Sequence, residues 1–279
     1  MVYKKLSNTR QAHKLKSAFV KTAGMLIRSS QSPDILLGEL FHDVQKSGVF
    51  DDGKTFVDLV PHGRAAAIKA EYELARRDPS FNLQEFVNRH FYEFAPYKHR
   101  NAFVADPDRP VREHIQLLWQ ELERRNRKNR GSLLALPHSY VVPGGRFSEQ
   151  FYWDTYFIML GLAADGKWDQ IEDMMKNYAY MLRKWGFIPT ANRTYFLTRS
   201  QPPFYALMIE LLATHRKKTL VYAEHLPYLL AEYRFWMKGT RKLTTTEHRA
   251  IYRVAQVAPA TYLNRYYDSA ATPRPESLR

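Results

Sequence analysis

Apolar residues three and four positions apart recur in one segment after another, and that spacing restricts the fold more than any other feature of the chain. Leu37, Leu40, Phe41 and Val44 open the series. "RAAAIKAEYELARR" and "LQEFVNRHFYEF" continue it, and "VREHIQLLWQELERR" places Ile115, Leu118, Trp119 and Leu122 on one helical face. "DQIEDMMKNYAYMLRKW" carries the clearest stripe, made of Ile171, Met174, Tyr178, Met181 and Trp185, and Gly186 and Pro189 end it. "PPFYALMIELLATH" and "TLVYAEHLPYLLAEYRFWMK" supply two more helices, the second with Pro227 as an expected kink or break. "GVFDDGKTF" reads as a turn, and "EHRAIYRVAQVA" as an irregular strand pair or long loop. Helix, short loop, helix, with longer loops after alternate helices, is the pattern of an all-α bundle or an αα-toroid. The chain is predicted to be mostly α.

Composition supports a folded domain: with 45% hydrophobic and 14% aromatic residues in 279, there is enough apolar matter for a sizeable core. No apolar run reaches the length of a membrane span. The absence of cysteine excludes disulfides, thiolate metal sites and cysteine nucleophiles, and fits a reducing compartment. Half of the net charge of +14 lies in residues 1–33, which carry seven Lys or Arg and no acid. These residues read as a basic leader, and 34–279 as the folded part. A second basic knot is "RRNRKNR", residues 124–130. One reading is contact with nucleic acid or an anionic surface; the other is a basic tail and a solvated loop. No helix-turn-helix, RNP or zinc-finger pattern accompanies the charge, so no specific nucleic-acid partner is expected. Lys21 interrupts the only apolar run of the leader, which fails as a secretory signal, and a cytoplasmic setting is expected.

Three proline-bounded segments carry the chemistry. "VVPGGRFSEQFYWDTYF" sets Arg146, Trp153 and Asp154 among aromatic rings. "GFIPTANRTYFLTRSQPPF" offers Arg199, Ser200 and Gln201, and "LNRYYDSAATPRPESLR" offers Arg274 and Glu276. Bidentate polar groups beside aromatic faces suit a sugar, whose hydroxyls take the former and whose C–H face packs on the latter. Ordinary structure explains the same residues another way: aromatics buried at a helix N-terminus with Asp154 as a capping acid, an arginine paired with a nearby acid, and a turn leading into a capped helix. Neither a metal-ligand spacing, a nucleophile elbow nor a phosphate-cradling glycine loop occurs, and no metal or cofactor is expected.

The first of these segments resembles the first signature of the trehalase family, Pro-Gly-Gly-Arg-Phe-x-Glu-x-Tyr-x-Trp-Asp-x-Tyr. Pro143, Gly144, Gly145, Arg146, Phe147, Glu149, Trp153, Asp154 and Tyr156 match, and Phe151 stands where the pattern has Tyr. "NRTYFLTRSQPPF" and "TPRPES" resemble the family's later sugar-contacting loops, with Thr190 where an Asn is usual. "SLLALPHSYVVPGG" and "LFHDVQKSGVFDDGKTFVD" are similar as well, especially to the cytoplasmic bacterial kind, so the likeness runs from about Leu36 to Arg279. It implies an (α/α)6 toroid, inverting hydrolysis of trehalose to two glucoses, and Arg146, Trp153, Asp154, Arg199, Ser200, Gln201, Arg274 and Glu276 as sugar contacts. The family's Ser-Gly-Trp-Asp and Gln-Trp-Asp-x-Pro motifs do not occur here. The expectation is therefore an incomplete toroid with no catalytic acid or base of its own, completed by a second chain. A non-catalytic sugar-binding protein is the alternative.

Overall fold

The computed structural model describes residues 32–97, 103–104, 106–244 and 249–278. The basic leader lies outside them, apart from Ser32 and Pro33. Ten α-helices occur among the described residues. Five form an N-terminal group: α1 Pro33–Leu37, α2 Glu39–Ser47, α3 Gly53–Asp58, α4 Ala65–Ala75 and α5 Leu83–His90. α6 Val111–Glu121 follows, and then four further helices, α7 Tyr152–Ala164, α8 Trp168–Trp185, α9 Tyr205–His215 and α10 Lys218–Trp236. Strands are minor. β1 Val60–Pro61 pairs with β2 Phe91–Tyr92, β3 Glu123–Arg124 with β4 Tyr140–Val141, and β5 Ala250–Ile251, β6 Val254–Ala258 and β7 Thr261–Asn264 form an antiparallel sheet. The chain is mostly α.

α8 follows its sequence closely. Ile171, Met174, Tyr178 and Met181 are sealed from solvent, and Gly186 takes φ +80° at the C-cap, a conformation that costs glycine little. With α7, α9 and α10 this stripe builds the larger core, each fully buried Leu, Ile or Met adding about 1.5–3 kcal/mol. A smaller core gathers Leu40, Phe41, Val44, Phe56 and Phe86 of the first five helices against Ala191, Tyr195 and Phe196. Phe151 packs on that smaller core, edge-to-face with Phe147 and Phe196.

Four local expectations need correction. The Asp52-Gly53 turn starts a helix, α3, because the Asp52 carboxylate accepts from the backbone N–H groups of Lys54 (2.6 Å) and Thr55 (2.9 Å). Pro227 does not break α10, which runs through it; Pro227 and Ala223 are both exposed, so the backbone group that proline leaves unpaired is not buried in the core. The stripe of α6 is not buried: no residue of that helix is, although Trp119 packs on the larger core and its indole N–H donates to Asp165 at 2.7 Å. Finally, the basic knot is not wholly a solvated loop. Arg124 is buried with its guanidinium 4.1 Å from the Tyr97 ring centre, and Arg130 lies over Phe94 at 5.6 Å.

Candidate functional site

The turn before α7 requires its glycines. Gly144 and Gly145 adopt φ +106° and +59°, which swings Arg146 out of the chain line toward α3. There the Arg146 guanidinium donates to Asp52, the N-cap of α3. Burial is the largest single influence on the Asp52 carboxyl and acts to raise its pKa, but the Thr55 N–H and hydroxyl, Arg146 and the Lys54 N–H together outweigh it and bring it to about 2.

At the start of α7 no side chain of the N-cap residue Phe151 satisfies the free N–H groups. Gln201 does so from another loop. Its carbonyl accepts from the Trp153 N–H at 3.1 Å, and its amide donates to the Asp154 carboxylate at 3.4 Å. The Trp153 ring is 41% exposed and meets Phe204 edge-on at 6.1 Å, so one face remains open. Thr190, the departure from the family pattern, binds through its backbone: its carbonyl accepts from Tyr152 N–H (3.0 Å) and its N–H donates to the Arg199 carbonyl (3.2 Å).

Arg199 is buried and shared. Its guanidinium donates to the Tyr195 carbonyl at 3.1 Å, to Asp268 at 3.2 Å and to Glu276. Ser200 donates to the Gln201 carbonyl at 3.0 Å. The strap that carries Glu276 is held on α3. The Gln45 amide donates to both the Gly53 carbonyl (2.8 Å) and the Pro275 carbonyl (2.7 Å), and a Cβ on Gly53 would stand 2.6 Å from the Glu276 carbonyl oxygen. One Glu276 carboxylate oxygen is sealed from solvent and has no hydrogen-bond partner.

A continuous set of contacts therefore joins Arg146, through Asp52 and Gly53, to Glu276, Arg199, Ser200, Gln201, Trp153 and Asp154. Arg274 stands apart, donating to the Tyr266 hydroxyl at 2.8 Å and lying over its ring. The alternative anticipated for Arg199, an arginine paired with acids, is also present in the same geometry.

Sequence reasoning missed the ionic knot behind this wall. Glu149, with no solvent exposure, accepts from Lys54 at 2.9 Å and from Arg193 at 2.5 Å. Asp58 pairs with Lys54, stands 3.4 Å from Arg193 and accepts from the Tyr195 hydroxyl at 2.7 Å. Burial alone would raise the Glu149 pKa, but Arg193 and Lys54 outweigh it and hold it below the usual value of 4.5. Burial and then Asp58 push the Tyr195 hydroxyl well above its ordinary range. The signals were present but unranked: Glu149 lies inside the matched signature, and Lys54 and Asp58 are four residues apart on α3. A cleft of about 630 Å³ opens over the knot, lined by Lys54, Asp58, Arg193, Tyr97 and Glu121, and it includes only Arg146 of the expected sugar contacts.

A model of the trehalase family matches residues 48–279. Periplasmic trehalases of Salmonella schwarzengrund (strain CVM19633) and Salmonella paratyphi B are each 47% identical over 249 residues, covering 88% of this chain and 43% of the relative. A putative periplasmic trehalase of Salmonella typhi is 46% identical over the same length. The chain thus spans less than half the length of the curated relatives it matches. A solved neutral trehalase from Saccharomyces cerevisiae is 31% identical over 41% of this chain and 20% of its own, with a TM-score of 0.31. The relatives' names overturn the cytoplasmic expectation. A cysteine-free composition restricts nothing in an oxidising compartment, because it leaves no thiol to oxidise, so it never distinguished the two settings.

Proposed function

The chain belongs to the trehalase family, and on that premise we propose that it supplies one wall of the trehalose site of an inverting α,α-trehalase built as an (α/α)6 toroid. The observation that carries this reading is the set of contacts that brings Arg199, Glu276, Gln201 and Asp154 together beside the exposed Trp153 ring. Glu276 supplies a carboxylate acceptor for a sugar hydroxyl once its pairing with Arg199 opens to the ligand. Arg199, Gln201 and Asp154 add further partners for hydroxyls, Arg146 joins them from the Gly144-Gly145 turn, and the open face of Trp153 accepts the C–H face of a glucose ring. Ser200 holds its loop, while Arg274 reaches the sugar only by leaving Tyr266.

Inverting hydrolysis needs one carboxylic acid to protonate the leaving glycosidic oxygen and one carboxylate to deprotonate a water on the opposite face. The family's two motifs for these groups do not occur in this sequence, so both groups come from polypeptide beyond the matched part, in the same or a separate chain. The exposed apolar stripes support such a partner. Phe157 and Leu160 lie along α7, and Leu226, Leu230 and Tyr233 along α10, all at least 41% exposed. A contiguous exposed apolar stripe of this kind marks a surface that another element covers. The relatives' names support a periplasmic setting. Among the described residues no helix is long and apolar enough to cross a membrane.

Titration calorimetry with trehalose, and with maltose for comparison, tests the wall. The 279-residue chain should bind trehalose and lose about tenfold or more in affinity on Arg199→Ala, while releasing no glucose. Equal affinity in the variant would remove Arg199 from the site. Glucose release by the wild-type chain would place an acid and a base within these residues.

A further inference from the structure

The β5–β7 sheet contributes no residue to the wall, yet it ends beside the strap that does. Arg253, in the turn between β5 and β6, is 6% exposed, and its guanidinium lies 3.7 Å from the Phe235 ring centre and 5.5 Å from that of Tyr267. No carboxylate pairs with it among the described residues, and its Nε is buried without a partner. Burial lowers its pKa to about 10, with Tyr267 and then Asp268 acting against that fall. Arg253 is therefore a buried cation lying on the Phe235 ring, whose charge is offset chiefly by Tyr267 and by Asp268, the carboxylate that follows Tyr267 in sequence.

Asp268 uses both of its oxygens. One accepts from the Ala270 N–H at 3.0 Å, fixing the turn of the strap, and the other accepts from Arg199 at 3.2 Å. Independently, the Ser269 N–H and hydroxyl both donate to the Thr198 carbonyl, at 3.1 and 3.0 Å, which sets the strap against the Arg199 loop. Resting on the function proposed above, we propose that Asp268, anchored to the β5–β7 sheet through Tyr267 and Arg253, is a positioning residue that fixes the orientation of the Arg199 guanidinium. The physical need is specific. Glu276 holds Arg199 through one oxygen, so a ligand that moves the Glu276 side chain also pulls on Arg199. A second carboxylate on a separately anchored turn keeps the guanidinium in place, since charge-assisted hydrogen bonds are the strong, directional kind.

The test reads Arg199 directly. In the nitrogen-15-labelled full chain, rotation about the Arg199 Cζ–Nη bonds is followed by side-chain NMR in wild type, Asp268→Asn, Asp268→Glu and Ser269→Ala. Trehalose affinity is measured on the same samples. Asp268→Asn is expected to speed the rotation at least tenfold and to weaken trehalose by about tenfold, the scale of one charge-assisted bond. Asp268→Glu should restore slow rotation in part, and Ser269→Ala, which loosens the strap without removing charge, should leave it slow. Unchanged rotation in Asp268→Asn would overturn the assignment. So would equal loosening by Ser269→Ala, which would reduce Asp268 to a strap residue. Faster rotation with unchanged trehalose affinity would uphold the positioning contact and refute the sugar-binding role of Arg199 instead.

Discussion

Glu232 is buried in α10 among apolar helices, and its carboxylate accepts from the Tyr152 hydroxyl, which itself accepts from the Tyr205 N–H at 3.0 Å. No lysine or arginine pairs with it among the described residues. The nearest basic group in this cluster is His225, bonded to the Tyr205 hydroxyl at 2.8 Å; burial lowers its pKa, so it brings no positive charge near neutrality. Burial raises the Glu232 pKa from 4.5 to about 7, the Tyr152 bond opposing that rise. Between those two values the unfolded chain has released the proton and the folded chain still holds it. Stability from this group is therefore full below pH 4.5, falls by about 1.4 kcal/mol per pH unit above it, and has lost about 3 kcal/mol by pH 7. Glu232→Gln keeps an acceptor for Tyr152 and removes the proton. Guanidinium unfolding at pH 4.5 and pH 7.5 should show the variant within about 1 kcal/mol of wild type at the lower pH and about 3 kcal/mol more stable at the higher. By heating, the gain at pH 7.5 should be roughly 6–12 °C. Parallel pH–stability curves for the two proteins would refute the reasoning, because they would mean that Glu232 is already ionised in the fold.

Glu149 carries the opposite sign. With its pKa held below 4.5, its contribution is present above that value and is lost as pH falls through the folded one; Glu149→Gln should cost about 3–5 kcal/mol at pH 7 in denaturant titration, and less in acid. Adding Lys54→Met should recover part of that loss, because a cation is removed along with its anion, and a strictly additive double variant would contradict the ionic account. Gly53→Ala should shift the 275–277 turn, cost about 1–3 kcal/mol and weaken trehalose in calorimetry; unchanged binding would show that the close approach to Glu276 does not place it. The stripes on α7 and α10 should make the isolated chain self-associate, so a concentration-independent monomer in sedimentation would contradict their being an interface. Phe157→Ser with Leu230→Ser should reduce that association.

Most helices were legible because burial repeats every three or four residues, and α8 needed nothing beyond its own stripe and Gly186. The elements that were misread depend on partners distant in sequence. The Asp52 cap of α3 lies within the stretch that reads as a turn, but the Glu276 strap that packs on Gly53 comes from the far end of the chain, where no local window reaches. α6 has a proper stripe, yet a stripe states what a helix can bury and not whether anything covers it. The site divides the same way. Motif matching picked out Arg146, Trp153, Asp154, Arg199, Ser200, Gln201, Arg274 and Glu276, since each lies in a short stiff segment that reads locally. Tertiary structure alone gave Gln201 to the free end of α7, set Arg274 aside on Tyr266 and clasped Arg199 between Glu276 and Asp268. It also closed Glu149, Lys54, Asp58 and Arg193 into a buried knot. Hydrophobic periodicity is a property of neighbouring residues and survives in the sequence. The balance of a buried charge depends on groups 95 or 44 residues away, as Lys54 and Arg193 are from Glu149, and only the folded chain brings them within hydrogen-bonding distance.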